Sequence, residues 1–364
     1  MSQSIIKSIA LLDLVKNEVC RTRHPGARRL PTFYPSSASV QLPDGRVEGG
    51  CWRADWYRVK GIEPSNSTEF YISMIHRLGK AVENIVVDSM KEAGVYESSG
   101  VKFYDPKINV SGELDIVGRF RDKVTNLIRF FGVEVKSVYG QGATETITGR
   151  SRAYKGQLPF RPKPKVSNLM QVMVYLDQFS QAKGPRFFLE GFKLLYIPRD
   201  KPNDGREYTV VLVTKDTMLR GSMSEADFAA AKEKMNDEEH YAFISTPDFP
   251  DYVEANFSLE DMYRRWAEEK ALFEADTAPP RPFKKFYSEE EVEYLHSIDE
   301  LSKTAYDGFK AGKEKPGHFL CQSYCEYRDF CYTRLGTPRK EADALGVIQV
   351  MEPKNKLEVS NEEG

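Results

Sequence analysis

Asp115, Glu134 and Lys136 are the residues of this 364-residue chain whose types and spacing could do chemistry together. They stand in "GELDIVG" and, after a polar turn, "GVEVKS". Side chains two apart on a strand share a face, so Glu134 and Lys136 point together while Val133 and Val135 pack on the other side. A Glu and a Lys drawn from water beside a second carboxylate are costly unless paired or bound to a metal. Two carboxylates and a backbone carbonyl supply the hard oxygen ligands that magnesium or manganese prefers, with positions left for water and a phosphate oxygen. Lys136 could then orient or deprotonate the attacking water and stabilise charge developing on phosphorus. An isolated E-x-K is as a rule a solvated salt-bridging face. What sets this one apart is the upstream Asp on an adjoining strand and the apolar run before Glu134.

A second grouping is "CQSYCEYRDFC", which places Cys321, Cys325 and Cys331 within eleven residues. Tetrahedral metal sites and iron-sulfur clusters usually take four protein ligands. His318, Cys20 and Cys51 are the candidates for a fourth. Five cysteines, an odd number with three clustered, suit metal or cluster ligation in a reducing compartment better than a disulfide framework. A third grouping is "GRSRAYKGQLPFRPKPK", where Arg150, Arg152, Lys155, Arg161, Lys163 and Lys165 occur with no acidic residue and with Tyr154 and Phe160 interleaved. Such a loop can track phosphates and stack on unpaired bases. Arg21, Arg23, Arg28 and Arg29 form a second basic run.

The elements that must position these residues follow from periodicity. Apolar residues from Ile72 to Met90 at three- and four-residue spacing predict a helix from Thr68 to Gly94. "GELDIVGRF" and "LIRFFGVEVKSV" read as an antiparallel strand pair. After the basic loop, Ser167 can cap a helix ending near Gly184, with Leu169, Val172, Met173, Leu176 and Phe179 as its stripe. "RFFLEGFKLLYIPR" and "REYTVVLVTKD" form a second strand pair, and helices are expected near 224 to 236, 259 to 274 and 288 to 311. An opening helix from Gln3 to Cys20 leads into an irregular stretch to about residue 65. With 40% hydrophobic residues and a net charge of -2, the chain can bury a sizeable core. Without a long apolar run or a cleavage pattern, it is expected to be soluble and cytoplasmic, with no membrane partner.

In their order, these residues resemble the PD-(D/E)XK nuclease superfamily, and more closely its RecB-like branch. Gly112 to Asp115 matches that branch's Gly-x-x-Asp, and Glu134 and Lys136 match its E-x-K. Gln171 and Tyr175 match the Gln-x-x-x-Tyr of its following helix, and Gly79 and Glu83 the Gly-x-x-x-His/Glu of its upstream helix, where Glu83 would be a further metal ligand. The resemblance covers about residues 79 to 175. It implies a restriction-endonuclease-like α/β core with a central mixed sheet flanked by helices, and Mg2+ or Mn2+ at the carboxylates. One subset of the branch binds a 4Fe-4S cluster through one cysteine before the core and three after it. By that pattern Cys51, in "CWRADWYRVKG", is preferred to Cys20, and zinc is the rival metal. The spacing Cys-x3-Cys-x5-Cys departs from the usual two residues between the first pair.

The resemblance thus implies a metal-dependent DNA exonuclease or end-processing nuclease of recombination or repair. Its substrate would be DNA, single-stranded or with free ends, and any unwinding would come from a helicase partner. A catalytically silent DNA-binding or assembly subunit and a structure-specific endonuclease are the alternatives. One nuclease domain is expected over 1-345, with its core at about 67-216, a helical region at about 217-312 and the cysteine segment at 313-336. A disordered tail is expected over 346-364.

Overall fold

The computed structural model describes residues 32–62, 64–66, 70–140, 147, 162–180, 188–247, 249–298 and 300–333. The expected opening helix, Cys20, the basic run from Arg21 to Arg29 and the tail lie outside them. In chain order the elements are β1 (Ser39–Gln41), β2 (Val47–Gly49), α1 (Trp52–Val59), α2 (Phe70–Glu92), β3 (Tyr96–Asp105), β4 (Val110–Arg121), β5 (Ile128–Val138) and α3 (Val166–Gln178). There follow β6 (Leu189–Pro198), β7 (Arg206–Val213), α4 (Glu225–Lys234), β8 (Tyr241–Thr246), β9 (Phe249–Glu254), α5 (Leu259–Phe273), α6 (Glu289–Ser297), α7 (Lys303–Lys310) and α8 (Arg328–Thr333).

These residues fall into two compact units, a division that the reading of one domain over 1-345 did not draw. The first comprises Thr32–Gly50 and Phe70–Ala267, and the second the described parts of Cys51–Glu69 and Glu268–Gly364. The first unit is α/β, built on a seven-stranded mixed sheet in the order β3-β4-β5-β6-β7-β8-β9. Every neighbouring pair is antiparallel except β5 with β6. A parallel pair needs a crossover, which here includes α3. That helix is buried on nearly all sides, and it lies over β5, β6 and β7. Beneath it Phe192, Leu194 and Tyr196 of β6 are fully buried, with Phe192 stacked on Tyr175 at 5.9 Å.

Several expectations are corrected. The region 217–312 is not wholly helical, because β8 and β9 extend the sheet. Pro250 masked that strand in the sequence, but a proline is tolerated on an edge strand, which has one row of unpaired backbone groups. The helix over the site starts one residue earlier than Ser167, with Lys165 at its N-cap, and ends at Gln178. The stretch before residue 65 holds a short hairpin and α1. Leu78 and Ile85, placed in the apolar stripe of α2, are exposed. Gly94 does end that helix's turn, with φ of +71°, a conformation free of steric penalty only for glycine.

Among the described residues no helix is long and apolar enough to cross a membrane.

Candidate active site and cysteine pocket

The carboxylate site arises where two strands part. The last paired residues of β4 and β5 are Ile116 and Val133. Continuing that register by one residue sets Asp115 opposite Glu134, beyond the end of the ladder. From there β4 stays paired with β3, and β5 with β6, so the sheet forks between the two acids. Val133, on the opposite face, is buried as its strand position requires, and Glu134 is only 2% exposed.

The E-x-K pair meets α3 directly. Lys136 Nζ donates to Glu134 Oε1 at 2.5 Å and to Gln171 Oε1 at 3.0 Å. Gln171 Nε2 donates to Glu134 Oε1 at 3.0 Å and to the Tyr175 hydroxyl at 3.1 Å. Tyr175 in turn donates to the Glu113 carbonyl oxygen at 2.9 Å, which ties the helix to β4. The one-turn spacing of Gln171 and Tyr175 is what lets both reach the same edge. One oxygen of Glu134 is thereby held by two donors, while the other, Oε2, is buried with no hydrogen-bond partner among the described residues.

Asp115 and Glu83 of α2 complete an acidic group. Burial, then repulsion from Glu134 and Glu83, pushes the Asp115 carboxyl up to about 8. Lys80, one turn before Glu83, forms a 2.5 Å ion pair with it, and its amine is raised by that contact and by the charges of Asp115 and Glu113. Sequence reasoning missed Lys80. Its place three residues before Glu83 on a helix was the available signal.

Among the described residues, no three His, Cys, Asp or Glu side chains stand close enough to hold a metal ion as placed. The chemistry of the donors nevertheless fits a hard divalent cation. A buried carboxylate oxygen without a donor is expensive, and the neighbouring acids raise the proton affinity of Asp115. Magnesium needs only one or two carboxylates and keeps several waters.

Of the basic loop, Arg150, Arg152, Tyr154, Lys155 and Arg161 lie outside the described residues. Lys163 is exposed. Lys165, at the start of α3, has its amine lowered by desolvation and by the nearby charge of Lys136.

The second unit gathers the cysteines. Cys51, Cys321, Cys325 and Cys331 line one pocket together with Arg53, Tyr57, Arg281 and Tyr332, around ≈ 310 Å³ of atom-free space that is partly open to solvent. All four thiols are free. Cys51 precedes the first turn of α1, Cys321 lies in a π-helical turn (Leu320–Tyr324), Cys325 follows it, and Cys331 is in α8. Burial pushes three thiols up, Cys321 to about 11, Cys325 to about 12, and Cys51 well above its ordinary value, with neighbouring thiols adding to the rise.

Two segments far apart in sequence are knitted together to do this. Ser65 and Asn66 bond to the start of α8, with Asn66 N–H to the Glu326 carbonyl at 2.9 Å and Phe330 N–H to Ser65 Oγ at 2.9 Å. Tyr57 packs against Tyr327 and Phe330. His318 does not line the pocket. It stacks on Phe283 at 3.8 Å, and burial lowers its imidazole to about 4.

No protein-family model, curated protein or solved structure matches this chain.

Proposed function

We propose that the chain is a metal-dependent nuclease of the RecB-like kind that hydrolyses phosphodiester bonds at DNA ends. The observation that carries the reading is the juxtaposition of Asp115 and Glu134 at the fork between β4 and β5, with Lys136 and Gln171 bonded to Glu134. A bound Mg2+ or Mn2+ would supply a water of lowered pKa and neutralise charge on the phosphate. Asp115 and Glu134 would hold it, with Glu83 within reach of the same group. Lys136, on the same edge, orients the attacking water and meets the negative charge that develops on phosphorus. Gln171 fixes both Lys136 and Glu134, and Tyr175 fixes Gln171. Lys165, close enough to Lys136 to feel its charge, would supply positive charge for the DNA backbone together with the rest of the basic loop from Arg150 to Lys163.

The cysteine pocket supports a 4Fe-4S cluster held by Cys51, Cys321, Cys325 and Cys331. What supports this reading is that the four cysteines line one pocket. Four thiolates also make a structural zinc site, so zinc is the rival occupant, and iron and sulfide analysis of anaerobically purified protein separates the two.

The test is incubation of purified protein with linear single- and double-stranded DNA and manganese, beside Lys136→Ala. Cleavage by wild type alone supports the reading, and a wild type as inert as the mutant defeats it. A closed circular substrate separates end-processing from endonuclease action.

A further inference from the structure

The cysteine pocket is lined by cations as well as thiols. Arg281 places Nε 3.2 Å from Cys331 Sγ and Nη2 2.6 Å from the Cys331 carbonyl oxygen, with its guanidinium 3.8 Å above the Tyr332 ring. Arg53 is 1% exposed, which is rare for a side chain that keeps its charge. Its Nε donates to the Tyr57 hydroxyl at 2.7 Å and its Nη1 to the Pro279 carbonyl at 2.6 Å. Its Nη2 is buried and has no hydrogen-bond partner among the described residues. A buried guanidinium with an open donor is unfavourable unless an anion accepts from it.

Four thiolates around an iron-sulfur core leave a net negative charge. Positive groups and N–H···S bonds stabilise that charge, and they stabilise it more after an electron is added, which raises the reduction potential. We propose that Arg281 and Arg53 are positioning residues for a thiolate-bound iron-sulfur group in this pocket. Arg281 acts through its bond to Cys331 and Arg53 through its open Nη2, and together they retain the group and hold its potential up. The inference rests on the cluster reading given above. It adds two residues for which the cysteine pattern gives no role, and a direction for the electrochemistry.

The experiment uses the full chain, reconstituted anaerobically with iron and sulfide, as wild type, Arg281→Gln, Arg281→Lys and Arg53→Lys. Iron and sulfide are assayed, and the absorption and paramagnetic signals are followed during a potentiometric titration with dithionite as reductant. Arg281→Gln is expected to titrate at a more negative potential and to lose iron to a chelator about tenfold faster than wild type. Arg281→Lys keeps the charge but not the forked geometry, and it should fall between the two. Arg53→Lys should shift the potential in the same direction. Variants that load fully and titrate at the wild-type potential would overturn the assignment, since a purely structural role for the arginines leaves the potential unmoved. A wild type that takes up neither iron nor sulfide removes the cluster reading itself, and the two failures are told apart by the metal assay.

Discussion

Asp115 and Glu134 face one another one residue beyond the last hydrogen-bonded pair of β4 and β5. Two acids on directly opposed strand positions repel, and the fork lets them stand there without breaking a ladder that would otherwise have to hold them together. The neighbouring lysines pair with the outer members of the group: Lys136 with Glu134 and Lys80 with Glu83. Asp115 is left with the largest burden of burial and repulsion.

Asp115→Asn should therefore separate activity from stability. Cleavage is expected to fall by roughly 10²-fold or more, as for loss of a group that stabilises transition-state charge. Thermal unfolding in the presence of a chelator should rise by a few degrees, because a repelled acid is replaced by a neutral isostere. A mutant that melts lower than wild type in chelator would contradict the crowding described for this site.

Gln171→Ala removes the donor that holds Glu134 and the acceptor that holds Lys136. Leaving the buried Glu134 carboxylate with one fewer partner costs about 1–3 kcal/mol. Denaturant unfolding should register that loss, and kcat should fall more than KM rises. Tyr175→Phe keeps the Gln171 bonds to the strand and should be the milder of the two.

Gly317 lies against the Lys285 carbonyl, where an added Cβ would come within 1.8 Å of the oxygen. That close approach lets His318 N–H reach the Lys284 carbonyl at 2.9 Å just before the cysteine turn. Gly317→Ala must displace backbone, and it should lower both melting temperature and metal content while DNA cleavage rates change less. Unchanged iron in a stable Gly317→Ala protein would show that the turn tolerates the shift.

Metal content should drop equally in Cys51→Ser and Cys325→Ser, because both thiols line one pocket. Elemental analysis of the purified variants, with Cys20→Ser as the control expected to keep its metal, checks this directly.

The His240–Glu260 pair gives a pH signature in the first unit. The two meet at 2.8 Å. The bond to Glu260 raises the His240 imidazole above its ordinary 6.5. Burial opposes ionisation of Glu260, yet the bonds from His240 hold its carboxyl below the ordinary 4.5. The histidine's contribution is complete below its unfolded value and is lost as pH rises through its raised folded one. The glutamate's contribution is complete above its unfolded value and is lost as pH falls through its lowered one. The pair is thus fully effective between about pH 4.5 and 6.5. His240→Gln should lower the melting temperature more at pH 5.5 than at pH 8.5, and equal losses at both would refute the link.

Much of the site was legible because strand and helix periods are local. The period of two put Glu134 and Lys136 on one face, and the period near four put Gln171 beside Tyr175. Strands β4 to β7 were legible for the same reason, being rich in Val, Ile, Leu and aromatic residues. β8 and β9 were not, because β8 is six residues long and β9 carries a proline and acids, and such short segments become strands only when a sheet edge is there to pair with them.

What the sequence alone determined was which residues could act and on which face of their own element each would lie. The tertiary fold decided what they meet. The fork between β4 and β5, the bonds from Gln171 to Glu134 and from Lys136 to Gln171, and the gathering of Arg53 and Arg281 with the four cysteines all depend on contacts between segments distant in the chain. Such contacts are set by packing and charge compensation across the whole unit, and no local pattern encodes them.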